Sequence, residues 1–277
     1  MIKKPESFGL FYVRYNRYFR KKGGAGMRLI DNFLDKFREK AIENSHLCDG
    51  CGAELFSYPQ PRLCDSCLSG LALNDGFTCE CCGRAVRGEG VCASCKSVVP
   101  AFEKGVSPLA YFDRSALIIN AFKSGRRYLA YYLAEEMKKA IERLPGREYV
   151  LTCVPITKTK RRVRGYNQAE ELIKRISALT GYPMNAFLLE QRTEKAQKRL
   201  TMQERRKNVV GAFRVVDRKF CKGKHFLLVD DVMTTGATLS EIASLLLRAG
   251  ASSVCVATAA SVPDFDPVDY TNLLASM

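Results

Sequence analysis

Two adjacent carboxylates, Asp230 and Asp231, close the apolar run His225-Phe-Leu-Leu-Val, and the residues Met233, Thr234, Thr235, Gly236, Ala237 and Thr238 follow almost at once. A strand that delivers acids at its C-terminal end places them where open α/β sheets bind ligands. The run after them offers backbone amides, threonine hydroxyls and a glycine that lets the chain approach a ligand closely. It ends at the start of an expected helix, Leu239–Arg248, whose unpaired amides and dipole favour a phosphate dianion. Acids beside such a cradle would repel a bare phosphate. They make sense when the ligand presents hydroxyls or a metal between them, as a ribose 5-phosphate does. A plain threonine cap explains one threonine; it does not explain two acids, three threonines and a glycine together.

A second chemistry is written in cysteine. Nine of the 12 cysteines lie between Cys48 and Cys95, and eight of them form the pairs Cys48/Cys51, Cys64/Cys67, Cys79/Cys82 and Cys92/Cys95, each with two residues between. Each pair can aim two thiolates at one tetrahedral ion, so two pairs complete a structural four-cysteine zinc site and the segment holds two zinc ions. Gly52 and Gly83, which follow the second cysteine of two pairs, suit the tight turn that points amides at the sulfurs. Iron–sulfur ligation and a redox dithiol are the competing readings; the first usually needs tighter triplets, the second a single pair beside a strand. Four thiolates leave no open coordination position, so the metal is not expected to be catalytic. Spacing leaves sequential and cross-braced pairing both open. Cys81 matches no pair, and Cys153, Cys221 and Cys255 sit in apolar runs as small hydrophobes.

The net charge of +15 calls for an anionic partner, nucleic acid or a phosphorylated metabolite, although surplus lysine also serves solubility. The excess is concentrated. Lys158, Lys160, Arg161, Arg162 and Arg164 form one block, and Arg192–Lys207 holds seven cations, Arg199 and Arg205 among them, against two glutamates. The second block reads either as a solvated face or as a mobile lid between two strands that faces pyrophosphate or a DNA backbone.

These residues need a frame. Helices are expected over Ala116–Phe122, Tyr128–Leu144, Gln168–Leu179 and Leu239–Arg248, and buried strands over Val150–Val154, Phe226–Val229 and Ser253–Ala260. Their alternation implies a parallel sheet with right-handed crossovers. Four segments are expected: a basic leader over 1–46 with an amphipathic helix from Arg28 to Ile42, a double zinc ribbon over 47–100, an α/β domain over 106–262, and a tail over 263–277. Gly23, Gly24 and Gly26 precede Met27, which is an alternative translation start that would leave 1–26 outside the protein. No run of 18 apolar residues is present, and the N-terminus lacks a signal peptide's long apolar region. A cytoplasmic location is expected, where thiols stay reduced.

Val229–Thr238 resembles the PRPP-binding motif of type I phosphoribosyltransferases, and Cys48–Ala260 resembles the ComF family of competence-related, amidophosphoribosyltransferase-like proteins. Phe122-Lys-Ser-Gly-Arg126, Val154-Pro-Ile, Arg164-Gly-Tyr-Asn-Gln168 and Gln197-x2-Leu-x4-Arg205-x2-Asn208 support the likeness. It implies a type I phosphoribosyltransferase-like parallel sheet flanked by helices, preceded by a zinc ribbon. It further implies that Asp230 and Asp231 bind the ribose hydroxyls and Thr234–Thr238 the 5′-phosphate. Pro155-Ile-Thr-Lys158 would take pyrophosphate with Mg²⁺, helped by Lys158, Arg161, Arg162, Arg199 and Arg205. Where family members often continue with His-Pro, this chain has Thr157-Lys-Thr-Lys160. The implied role is DNA uptake or use, with single-stranded DNA and a competence helicase as partners. Transfer would be displacement at ribose C1, driven by electrostatic positioning. Neither His46 nor His225 falls in the site, so no general base is identified, and a non-catalytic DNA- or partner-binding protein and a salvage phosphoribosyltransferase stand as alternatives.

Overall fold

The computed structural model describes residues 47–55, 62–191 and 211–265. The leader with its expected helix and the Met27 start, the basic block with Arg199 and Arg205, and most of the tail lie outside the described residues. The described residues from Cys48 onward form one compact unit.

Its centre is a five-stranded parallel sheet. β3 (Tyr149–Cys153) pairs with β6 (His225–Met233), and β6 pairs with β7 (Ser253–Ser261). Two short strands, β1 (Gly105–Val106) and β2 (Leu109–Ala110), share the far edge of β7. The long strands run apolar without alternation because both faces are covered. Period two still sorts them. Leu227, Val229, Cys255 and Ala257 pack into one cluster, and Phe226, Leu228, Val254 and Val256 into another.

Short helices α1 (Asp65–Ser69) and α2 (Ala93–Ser97) lie in the cysteine segments, and α7 (Arg218–Cys221) precedes β6. The first face carries α3 (Asp113–Lys123), α4 (Leu129–Ile141) and α6 (Gln168–Thr180). In α4 the residues Leu129, Ala130, Leu133, Ala134, Met137, Ala140 and Ile141 are buried, the stripe expected of a helix lying on a sheet. α6 is bounded by local chemistry. The Asn167 side chain accepts from Ala169 N at 3.1 Å, Glu170 and Glu171 favour the first turn, and Gly181 ends the helix at φ 77°. The second face carries α8 (Ala237–Arg248) and an antiparallel hairpin of β4 (Leu189–Gln191) and β5 (Phe213–Val215). In sequence, the two strands stand on either side of the basic block 192–210.

Within the described residues the expected helices and strands are present, with ends shifted by a few residues. One expectation is corrected: the stretch Pro155–Lys158, expected as a loop after the strand Val150–Val154, gives way to a helix at Lys158. Thr157 caps a short helix, α5 (Lys158–Arg164), by accepting from Lys160 N at 3.1 Å, and Gly165 closes it at φ 78°. A run of seven residues with five cations reads as a loop because its helix start rests on one threonine.

Candidate functional site

Asp230 lies opposite Thr258 of β7. Asp231 reaches the side that carries α3, where its Oδ1 meets Lys123 Nζ at 3.4 Å. Asp230 Oδ1 accepts from the backbone of Asp231 at 2.8 Å. Burial and the neighbouring Asp231 charge push the Asp230 carboxyl up to about 8, against the opposing pull of the Asp231 amide, Lys123 and Lys160. Lys160, which the expected cation set omits, thus projects its field onto the acids from α5.

The strand runs to Met233, whose side chain is buried, so Met233 ends the strand and supports the turn from below. Thr234 is exposed, and Gly236 adopts φ 77° as the residue before α8, with Met233 Sδ 3.6 Å from where a Cβ would stand. The helix begins at Ala237, two residues earlier than the sequence suggested, because Ala237 N is held by Thr235 Oγ1 at 3.3 Å. Ala237 and Thr238 consequently belong to the first turn of α8, where amide groups lack partners within the helix. Gly236 itself offers no side chain to cap them, and among the described contacts only the Ala237 amide is taken, by Thr235 Oγ1.

Three of the family-like stretches, at 122–126, 154–156 and 164–168, act as clamps on this centre. Val154 N bonds Val229 O at 3.0 Å, which fixes the exit of β3 beside the acids. In Arg164-Gly-Tyr-Asn-Gln168, the buried Tyr166 hydroxyl donates to Phe122 O, Asn167 Nδ2 to Val154 O at 3.0 Å, and Gln168 Nε2 to Lys123 O at 3.4 Å. This segment joins the β3 exit to the end of α3 and so sets where Lys123 stands. Lys158, Lys160, Arg161 and Arg162 are exposed on α5, and Arg161 pairs with Glu170 of α6. Lys158, Arg161 and Arg162 are therefore carried by one element next to the acids.

The cysteines gather sequentially rather than cross-braced. Sulfurs of Cys48, Cys51, Cys64 and Cys67 lie within 4.8 Å of one another, and so do those of Cys79, Cys82, Cys92 and Cys95. The Cys51–Cys64 and Cys82–Cys92 sulfurs are 3.7 Å apart, close to the ~3.8 Å edge of a tetrahedron with ~2.3 Å metal–sulfur bonds. Amides of Gly50 and Cys64 point at Cys48 Sγ at 3.4 and 3.3 Å, and the amide of Cys92 at Cys79 Sγ at 3.3 Å. Each group thus fits a metal ion. Gly52 and Gly83 take φ 76° and 72° as the knuckle turn requires.

Four residues of the centre had weak or no signal in the sequence. Lys123 stood inside a quoted stretch without a role. Asp49, within the first cysteine pair, is buried against Arg126 (2.7 Å) and the Tyr128 hydroxyl, which ties that group to the turn after α3. Arg114 Nη1 donates to Cys67 Sγ at 3.1 Å. Arg84, buried beside the second group, donates from Nε to Cys82 Sγ at 3.4 Å and from Nη2 to Thr234 O at 2.6 Å. An arginine two residues past a cysteine pair was the available hint.

Comparison with known proteins places this arrangement. Residues 162–271 match the family model described as the phosphoribosyl transferase domain. The DNA utilization protein YhgH of Salmonella typhimurium is 31% identical over 221 residues, covering 71% of this chain and 95% of that one. Competence protein F of Haemophilus influenzae is 29% identical, covering 78% and 90%, and competence protein ComFC of Bacillus subtilis is 28% identical, covering 69% and 80%. With a type I phosphoribosyltransferase fold behind two cysteine groups, the chain belongs to the ComF family of DNA utilization and competence proteins.

Proposed function

We propose that this protein binds PRPP, or a related ribose 5-phosphate ligand, and serves the handling of DNA taken up by the cell. The observation that carries the reading is the juxtaposition of Asp230 and Asp231 with the turn Thr234–Gly236 and the start of α8. Carboxylates at this place accept hydrogen bonds from ribose hydroxyls, and the amides and threonines receive the 5′-phosphate. Lys158, Arg161 and Arg162 on α5, with Arg199 and Arg205 from the block beyond β4, would receive the diphosphate. The acids and a ligand diphosphate make a fitting oxygen donor set for Mg²⁺, which supplies charge neutralisation to the leaving group when bound. In a transfer, an acceptor nucleophile would form the new bond to C1 as the C1–oxygen bond breaks and the diphosphate leaves with its electron pair, while Asp230 and Asp231 hold the ribose. In the two cysteine groups we assign structural zinc, on the all-thiolate donor set and the closed tetrahedral spacing.

A second reading is a DNA-binding protein without turnover. It is favoured by the exposed cations of α5, which lie on one short helix and can track a phosphate backbone. Calorimetric titration of the full chain with PRPP and Mg²⁺, with and without a single-stranded oligonucleotide, separates the two. Saturable PRPP binding in the absence of DNA is expected. DNA binding with no heat from PRPP would leave only the second reading.

A further inference from the structure

Arg84 joins two parts of the molecule that have no covalent reason to be in contact. It belongs to the second cysteine segment, it is 4% exposed, and its guanidinium donates both to Cys82 Sγ and to the main-chain oxygen of Thr234. A second tie lies one helical turn on, where Ala101 N donates to Ser240 Oγ at 2.9 Å. Between these ties a cavity of about 280 Å³ separates the cysteine segment from the start of α8. The loop that follows the acid pair is thus held from behind at both ends by the second cysteine segment.

From this geometry we infer that Arg84 is a positioning residue for the phosphate loop, coupling the conformation of Thr234–Thr238 to metal occupancy of the Cys79/Cys82/Cys92/Cys95 group. Four thiolates around a divalent ion carry a net charge of −2, and a guanidinium beside one sulfur is held in place by that charge. Arginine presents several donors in one rigid plane, so fixing Nε on Cys82 also fixes the direction of Nη2. Nη2 in turn orients the Thr234 carbonyl toward the knuckle. In a planar trans peptide the N–H of the next residue points the opposite way. The Thr235 amide is therefore turned away from the cysteines, and the loop is set before any ligand arrives. The first group has an arginine too, but Arg114 reaches Cys67 from α3 and touches no part of the loop among the described contacts. The two metal groups are then unequal: both brace the fold, and the second also shapes the cradle.

The consequence for ligand affinity rests on the phosphate-cradle reading, whereas the structural coupling does not, and the test keeps them apart. Arg84→Met, Arg84→Lys and the control Arg114→Met are made in the full chain and their metal content is measured. Amide exchange of residues 234–238 is followed without ligand. With metal retained, loop exchange should rise about tenfold in Arg84→Met and Arg84→Lys and stay unchanged in Arg114→Met. The lysine variant keeps the charge beside the sulfurs but lacks a second donor in fixed geometry, so wild-type exchange in it would reduce Arg84 to a counter-ion and overturn the coupling. Unchanged exchange in a folded Arg84→Met protein would overturn it equally, and if that variant fails to fold the lysine variant decides. Calorimetry with ribose 5-phosphate should show about tenfold weaker binding in both Arg84 variants. A wild-type protein that binds no ribose 5-phosphate would refute the cradle reading alone, since exchange would still report on Arg84.

Discussion

At the scale of single residues, the centre is governed by two carboxylates with different surroundings. Asp231 meets the Lys123 ammonium, whereas Asp230 is desolvated and faces its neighbour's charge. A carboxyl whose folded value is about 8, against about 3.9 in an unfolded chain, holds its proton more tightly when folded. Stability is thus fully present below the unfolded value and falls as pH rises through the window up to about 8. Asp230→Asn removes this slope, so its stability advantage over the wild type should grow from pH 5 to pH 8 in denaturant titrations. A wild-type curve as flat as that of the variant would contradict the burial assigned to Asp230. The paired change Asp230→Asn with Asp231→Asn addresses the ligand. Two charge-assisted bonds to ribose hydroxyls are worth about 1.5–3 kcal/mol each, so PRPP affinity should fall at least roughly tenfold. Inorganic phosphate should bind as well or better, because the amide cradle survives and the repulsion is gone. The acid pair and the threonine–glycine turn were legible because residue types that rarely adjoin were adjacent in sequence. Lys123, Arg84 and Asp49 were not, since their partners stand 108, 150 and 77 positions away along the chain (231 − 123, 234 − 84, 126 − 49), and a single sequence gives no pairing across such distances.

At the scale of elements, periodicity carried the buried helices and strands, and electrostatic crowding hid α5. No buried apolar stripe marks α5 as a helix: none of its residues is buried, and five cations in seven residues repel one another. It persists because Thr157 caps it, Gly165 ends it, and Arg161 pairs with Glu170. The edge strands β1 and β2 were equally illegible, being two residues each and defined only by pairing with β7. A helix that holds cations at such cost invites an anionic partner. If that partner is single-stranded DNA, replacing Lys158, Lys160 and Arg162 by Gln removes three phosphate contacts at most. The slope of log affinity against log salt should then become shallower by up to about 2, from about 0.7 per contact. The Arg161–Glu170 pair is left intact so that α5 stays folded. A slope unchanged by the triple replacement would place the DNA surface elsewhere.

At the scale of the whole molecule, the cysteine segments are built into the sheet rather than attached to it. The first group contributes Cys48 and Cys67 to the cluster on one face, and the second contributes all four of its cysteines to the cluster on the other. The second also extends the sheet edge: Gly105 N bonds Cys81 O at 2.7 Å, and Glu103 N bonds Val254 O at 2.8 Å. The pairs of cysteines were readable from spacing, but their packing against opposite faces was not, because it depends on the strand parity of a sheet formed much later in the chain. Two glycines at the same position of the knuckle turn expose the difference. Gly52 and Gly83 have nearly the same φ, 76° and 72°, yet a Cβ at Gly52 meets nothing within 4 Å while one at Gly83 lies 2.4 Å from Gly105 O. Gly52→Ala should cost only the left-handed backbone, about 1 kcal/mol. Gly83→Ala adds a collision with backbone that cannot rotate aside, for a total of about 3 kcal/mol or more. In thermal unfolding with both metals bound, the Gly83 variant should therefore melt several degrees below the Gly52 variant, at roughly 2–4 °C for each kcal/mol. Metal analysis of the same samples should give two zinc ions per chain for the wild type and Gly52→Ala. Equal melting of the two variants would mean that the second segment docks loosely, and that the phosphate loop is held by the sheet alone.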